Sequence, residues 1–416
     1  MNKIRITELN SGIKILSENI PYVKSFSLGF WFDVGSRDEN IKNNGISHFL
    51  EHMFFKGTEK RSAKKLSDDI ESLGGYLNAF TSKEHTCFYG RGLEPHLEKT
   101  FAVLSDMLQN SLFKVNEIKK ESQVVIDELY DIEDSPEELI FDKFETSIFN
   151  GNSLAYPIIG NEKNLRNFKQ KDLLDFVKAN YGFNNLYIVA SGALEHEKLI
   201  LLADKYFTKD LGITKKKREV CKKEVIKNSF VFKEIQQAHL IMGRTTYGYN
   251  SKKRTGLSVL GQILGEGSSS RLFQSVRERN GIAYQINSFL NSFYDVSTFG
   301  IYYSTNDKNV EKAQSLILNE LNKLKNKKVS DKELKRAKEY LKGSILMSLE
   351  STTNRMLRIA QSFIYFGKIK SVEETIAEIN SVSKEMILDL SNELFDESKF
   401  SKAIISSQNL LLHSAA

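Results

Sequence analysis

The run Gly45-Ile46-Ser47-His48-Phe49-Leu50-Glu51-His52-Met53-Phe54-Phe55 holds the pattern His-x-x-Glu-His at 48–52. This is the reverse of the commoner His-Glu-x-x-His metal pair. On a helix, positions 48 and 52 are one turn apart and share a face, with position 51 beside them. Two imidazoles so placed can grip one Zn²⁺, and the carboxylate between them can reach a water on the metal. The plainer alternative is two surface histidines near a glutamate. The flanking residues argue against it, because a mostly apolar helix is an expensive place for three polar side chains without a joint task.

Length and composition set the frame around this motif. A chain of 416 residues is too long for one core and predicts two domains. Hydrophobic residues make up 40% and charged residues 27%, as in ordinary globular proteins. The net charge of +6 arises from 59 basic and 53 acidic residues spread along the chain, too weak and diffuse for a nucleic-acid partner. Two cysteines, Cys87 and Cys221, supply neither a disulfide framework nor a cysteine metal site. The start, Met1-Asn2-Lys3-Ile4-Arg5-Ile6-Thr7, has no apolar signal core and no transit character, and no run of 18 apolar residues predicts a membrane span. A cytoplasmic chain is expected.

Outward from the motif the elements alternate. Strands are expected at Lys3–Leu9, Ile13–Ser17 and Ser25–Val34, with Asn10-Ser11-Gly12 as a hairpin turn. Helices follow over about 45–56 and 62–73, strands at 76–82 and 85–91, and long helices at about 94–109 and 115–133. Pro136 opens another helix to about 149, and Leu186–Gly192 reads as a buried strand. The pattern predicts an α+β fold of two homologous two-layer domains, each a mostly antiparallel sheet with helices packed on one face. Lys215-Lys216-Lys217-Arg218-Glu219-Val220-Cys221-Lys222-Lys223 lacks apolar periodicity and reads as a solvated linker rather than a nucleic-acid patch. The expected division is 1–212, a charged linker over 213–226, and 227–416.

The second half repeats the plan of the first. Asn116-Glu117-Ile118-Lys119-Lys120-Glu121 aligns with Lys332-Glu333-Leu334-Lys335-Arg336-Ala337, 216 positions on, and Gly45-Ile46-Ser47 with Gly256-Leu257-Ser258, 211 on. His48, Glu51 and His52 then fall opposite Val259, Gln262 and Ile263, so only the first copy keeps the chemistry. A catalytic zinc needs a third protein ligand. Glu121 and Glu128, seven apart at the edge of the stripe Ile118, Val125, Leu129, Ile132, are the candidates, and in the copy they become Ala337 and Ser344.

The combination of His48-Phe49-Leu50-Glu51-His52-Met53-Phe54-Phe55-Lys56-Gly57-Thr58, Leu77-Asn78-Ala79-Phe80-Thr81-Ser82, Glu121 and Glu128 resembles the pitrilysin (M16) metallopeptidases. Within them it is most similar to the mitochondrial processing peptidase β-subunit and its bacterial homologues. The resemblance covers essentially the whole chain. It implies His48, His52 and Glu128 as ligands of one zinc per chain, Glu51 as general base and Glu121 as a supporting carboxylate. It implies that Arg277 and Tyr284 donate hydrogen bonds to the substrate and its developing oxyanion. It also implies that Asn78, Ala79, Phe80 and Thr81 form an edge strand to which an extended substrate adds. The alternative for that segment is an ordinary strand after a double-glycine turn.

Glu138 and Asp142 match positions that, in the processing peptidases this chain resembles, face a basic residue two before the cut, although Ser135-Pro136-Glu137-Glu138 is also a ready capping box. Gly265-Glu266-Gly267 lacks a Gly-Lys-Ser/Thr ending and reads as a turn, not a phosphate loop. Processing peptidases pair a catalytic chain with an inactive one. Here one chain carries both the metal set and the Arg/Tyr pair, so a bacterial homodimer enclosing unfolded peptides is expected. The competing expectations are a non-catalytic core subunit of the same fold and a peptide-binding module without turnover.

Overall fold

A computed structural model describes residues 4–209, 211–215, 218–221 and 225–408. Two compact units emerge. One comprises the chain up to Asp131, Tyr156–Glu219 and Ser348–Ile369, and the other comprises Ile132–Ala155, Val220–Met347 and the chain from Lys370. They interleave along the sequence, a feature outside the expected division into 1–212, 213–226 and 227–416.

The strands are β1 Ile4–Glu8, β2 Lys14–Asn19, β3 Ser25–Phe32, β4 Tyr76–Thr81, β5 Thr86–Leu93, β6 Leu186–Gly192, β7 Ser229–Phe232, β8 Ala238–Tyr247, β9 Ala283–Ser292, β10 Val296–Thr305 and β11 Ser401–Ser406. The helices of the first half are α1 Ile46–Phe54, α2 Ala63–Glu71, α3 Leu97–Asn110, α4 Val115–Asp134, α5 Pro136–Ile148, α6 Glu162–Asn167, α7 Gln170–Asn180 and α8 His196–Tyr206. Those of the second half are α9 Arg254–Leu264, α10 Val310–Asn326, α11 Asp331–Ser348, α12 Thr352–Phe366, α13 Val372–Ser381 and α14 Lys384–Leu394. The eleven elements of the first half for which bounds are expected lie within three residues of them.

The first sheet runs β1-β2-β6-β3-β5-β4 and the second β7-β11-β8-β10-β9. In the first, β2 and β6 are parallel and every other pair is antiparallel, and in the second β7 and β11 are the parallel pair. Apart from β1, which adds through a hairpin closed by Gly12 at φ +91°, the two sheets share one topology. That is the duplication in physical form, with two sheet-plus-helix domains as expected. The helices obey the same offset. Ser135 and Ser351, 216 positions apart, each cap a helix, α5 and α12, by accepting an amide three residues on.

Those two helices depart from the expectation that helices cover one face only. β3 is buried nearly throughout, so both of its faces need a cover. Phe30 meets Phe101 of α3 edge-on, with ring centroids 5.0 Å apart. On the opposite face Trp31 Nε1 lies 3.3 Å from Met356 Sδ of α12, and the Ser27 hydroxyl meets those of Thr352 and Thr353 at 2.9 Å. In the second unit Ile241, Tyr302, Ala403 and Ile405 form one cluster with Leu139, Ile140 and Phe144 of α5. Each sheet thus has its second face covered by a helix from the other half of the sequence.

The charged run is also not solvated throughout. Arg218 forks onto Asp38 with bonds of 2.8 and 2.7 Å, reaches Asp33 at 2.9 Å, and donates to the Glu84 carbonyl at 2.6 Å. The Thr214 amide donates to Asn184 Oδ1 at 2.8 Å, and the Glu219 carbonyl accepts from Arg37. A guanidinium is held in such a place because two carboxylates meet its planar fork. Residues 214, 218 and 219 therefore belong to the first unit, whereas Lys216, Lys217, Lys222 and Lys223 lie outside the described residues. Among the described residues no helix is long and apolar enough to cross a membrane.

Candidate metal centre and active site

Helix α1 is amphipathic in the way the motif requires. Phe49, Leu50, Met53 and Phe54 turn into the core and are essentially inaccessible, leaving His48, Glu51 and His52 on the partly open side. Helix α4 buries Ile118, Val125, Ile126 and Leu129, and the same face carries Glu121, itself 4% exposed. Seven residues further, Glu128 remains partly open.

The two helices bring His48, His52 and Glu128 together, with one donor atom from each within 4.8 Å of the others. His48 Nε2 lies 3.7 Å from one Glu128 oxygen and His52 Nε2 lies 3.6 Å from the other. A tetrahedral ion with bonds of 2.0–2.2 Å has ligand atoms about 3.3–3.6 Å apart, and these two separations lie close to that range, so the donor set is of a kind and spacing that could hold such an ion. Among the described residues it is the one such group of three.

Glu121 stands behind this cluster. Its Oε1 is 2.9 Å from His52 Nδ1, and its Oε2 is 2.5 Å from Lys56 Nζ. A carboxylate on Nδ1 fixes the proton there and aims Nε2 at the cluster, the usual arrangement behind a metal-bound histidine. Glu51 is held from the sheet, because Thr81 at the end of β4 donates its hydroxyl to Glu51 Oε2 at 2.5 Å.

Burial and charge tune these groups in opposite directions. Burial, helped by His52, drives the His48 pKa down to about 3, so this imidazole is neutral and its lone pair is available. Burial also pushes His52 down, but the hydrogen bond and charge of Glu121, with Glu128 and Glu51, outweigh it and leave His52 above its ordinary value. Burial raises Glu51, seconded by the Glu128 charge, while Thr81 and His52 oppose the rise. Burial would raise Glu121 as well, yet the bonds and charges of His52 and Lys56 bring it below the usual range. The result is a neutral imidazole, a carboxyl raised above its ordinary value and a firmly ionised carboxylate beside His52. Perturbed groups of this kind concentrate at functional sites.

The remaining expected site residues fall as follows. Asn78, Ala79, Phe80 and Thr81 lie on β4, the outer strand of its sheet, where the Asn78 amide donates to Tyr76 Oη at 2.7 Å. Arg277 and Tyr284 come together in the second unit. The Arg277 guanidinium lies 4.9 Å from the Phe273 ring centre and 5.4 Å from that of Tyr284, whose ring is 66% exposed. Glu138 and Asp142 are on α5, also in the second unit, and Ser135 Oγ accepts from the Glu138 amide at 3.4 Å. Lys56 and Thr81 are the partners that sequence reasoning missed. In the sequence Lys56 enters only as part of a motif and Thr81 only as part of the strand expected to take substrate, since neither spacing nor periodicity links them to Glu121 and Glu51.

Comparison with known proteins gives the family. Residues 14–162 match the model for insulinase-type peptidases (peptidase family M16), and residues 167–341 match that for the peptidase M16 inactive domain. The chain is 35% identical to an uncharacterized zinc protease of Rickettsia felis over 406 residues, 97% of this chain and 98% of that protein. It is 36% identical to YmxG of Bacillus subtilis, also named an uncharacterized zinc protease, over 400 residues, 95% and 96% of the two chains. The chain belongs to the peptidase M16 family. Its fold is similar to that of a protease from Helicobacter pylori, with a TM-score of 0.91 at 22% identity over 97% of this chain and 99% of that one. A peptidase M16 inactive domain structure from Pseudomonas fluorescens superposes with a TM-score of 0.90 at 18% identity, covering 98% of each.

Proposed function

We propose that this chain is a zinc-dependent endopeptidase of the processing-peptidase kind, cleaving unfolded peptides or presequence-like segments as a cytoplasmic bacterial homodimer that encloses its substrate. The observation that carries this reading is the meeting of His48, His52 and Glu128 with Glu51 beside them and Glu121 behind them. His48, His52 and Glu128 would hold one zinc per chain, which when bound supplies Lewis acidity and brings the pKa of a water to about 7. Glu51 takes the proton of the attacking water and passes it to the leaving amine. Glu121 keeps His52 in the required tautomer, and Lys56 keeps Glu121 charged.

The outer edge of β4 takes the substrate backbone as an added strand through Asn78, Ala79, Phe80 and Thr81. Arg277 and Tyr284 donate to the substrate carbonyl as charge develops on it. Glu138 and Asp142 form an anionic subsite for a basic residue before the cut.

The test is zinc analysis and native mass of the purified chain, with cleavage of an unstructured basic peptide before and after chelation. We expect one zinc per chain, twice the chain mass, and activity that leaves with the metal and returns with it. Glu128→Gln should lose zinc. Cleavage that persists after verified metal removal overturns the reading, and a chain that holds no zinc fits a scaffold subunit instead.

A further inference from the structure

The start of the metal-binding helix lacks a side-chain cap of its own. Its N-cap is Gly45 at φ +98°, where a Cβ would stand 2.8 Å from Gly160 Cα and 2.9 Å from the Ile159 carbonyl oxygen. No Ser, Thr, Asp or Asn can occupy that place, although the first amides of a helix need acceptors. The acceptor comes from a distance. Glu39, 5% exposed, takes the Gly45 amide on Oε2 at 2.8 Å and the Ser47 amide on Oε1 at 2.8 Å. Asn44 Nδ2 donates to the same Oε2 at 2.9 Å and to the Pro157 carbonyl at 2.8 Å, so the carboxylate is itself braced. Between them, the Ile46 amide is satisfied by the Asn43 carbonyl at 3.0 Å.

We infer that Glu39 is a positioning residue for the metal centre: its carboxylate caps α1 in place of the side chain that Gly45 cannot carry, and so fixes where His48, Glu51 and His52 stand. Both oxygens grip backbone amides one to three residues before His48, so a shift of this carboxylate moves the turn that bears the first ligand. An anion at this end also complements the helix dipole. A buried carboxylate is a costly device, because burial outweighs these bonds and pushes its pKa up to about 7. Apolar packing at this site would be cheaper if only the fold were at stake.

The inference rests on the zinc reading above, and the experiment separates the two. Zinc affinity is measured by chelator competition in wild type, Glu39→Gln and Glu39→Ala, and amide exchange is followed over 45–52 and over α3 in the metal-free chains. Glu39→Ala removes both acceptors and should lower zinc affinity about 10–100-fold, the usual loss when support behind the ligands is removed. Exchange over 45–52 should quicken about 2–30-fold, the equivalent of a lost N-cap, with α3 unchanged. Glu39→Gln keeps the shape but turns an NH₂ toward N–H donors, so it should fall between. It also decides the question if the alanine variant does not fold. Wild-type zinc affinity together with wild-type exchange over 45–52 in a folded variant overturns the positioning role. Exchange that quickens equally over α3 also overturns it, by showing a general loss of stability. A wild-type chain that takes up no zinc overturns the function instead, and the exchange measurement still tests the cap.

Discussion

Helices α1 and α9 occupy the same place in two copies of one fold, each following the strand that pairs with β6 or with β11. On α1 the residues at the aligned positions are His48, Glu51 and His52. On α9 they are Val259, Gln262 and Ile263, of which Val259 and Ile263 are sealed in the core at 0% and 1% exposure. The facing helices differ in step, since the counterpart of buried Glu121 on α4 is buried Ala337 on α11. The architecture therefore stands without the polar cluster. In the second unit apolar side chains close the same interface, whereas the first unit carries the desolvation of two imidazoles and two carboxylates. Fold and chemistry are separable here, because the residues assigned a chemical task are replaced in the second copy while its fold persists.

The sharpest way to break this contrast is to exchange the copies at one position. Glu51→Gln gives the first unit the residue its counterpart has. Zinc content should stay at one per chain while turnover falls about 10²–10⁴-fold, the contribution of a general base. The reverse change, Gln262→Glu, should add neither a second zinc nor activity, and should lower the melting temperature by leaving a charge in a buried place. Unchanged turnover in Glu51→Gln would remove the base from the mechanism. A second zinc in Gln262→Glu would show that the copy kept a latent site.

A smaller effect should come from Lys56, which has the Glu121 carboxylate as its partner. Lys56→Met leaves that buried carboxylate with His52 as its remaining ion-pair partner, raising its pKa and slackening its hold on Nδ1. Zinc affinity should drop about 10–100-fold, and Lys56→Arg should recover much of it. Chelator competition reads both. Equal zinc affinity in the methionine variant would reduce Lys56 to a surface charge.

The contrast also explains what could be read from the chain and what could not. His48, Glu51 and His52 were legible because helix geometry fixes their relation within one turn. Glu121 and Glu128 were legible because a carboxylate on an apolar stripe is conspicuous. The helices on the second faces were not, since the periodicity of α5 and α12 shows that each has an apolar face but not which sheet receives it. Arg218 was hidden inside a run of like charges, because its partners Asp33 and Asp38 are about 180 residues away in sequence and composition registers only the run. Glu39 was missed for a similar reason, as a remote cap leaves no short-range signature. Gly45 was its one trace, a helix start without a capping side chain.

The smallest expected effect concerns how each copy holds the residue at the matched position. In the second unit Gln262 donates Nε2 to the Glu266 carbonyl, at the end of its own helix, at 2.8 Å. In the first, Glu51 is tied to the sheet edge by the Thr81 hydroxyl. That donated bond favours the carboxylate, and so opposes the rise in pKa that burial imposes. Thr81→Val removes the donor at nearly constant volume, so the Glu51 pKa must rise further. The base works only when ionised. At a given pH on the acid side fewer molecules then carry a competent base, and the acid limb of kcat/KM should move to higher pH. Well above both pKa values Glu51 is ionised in either protein, and the difference should shrink to the cost of a looser carboxylate, under about tenfold for one lost hydrogen bond. Thr81→Ser keeps the hydroxyl and should restore the wild-type limb. Identical acid limbs in wild type and Thr81→Val, with zinc content equal in both, would mean that the strand proposed to offer its edge to substrate has no say in the ionisation of the proposed base.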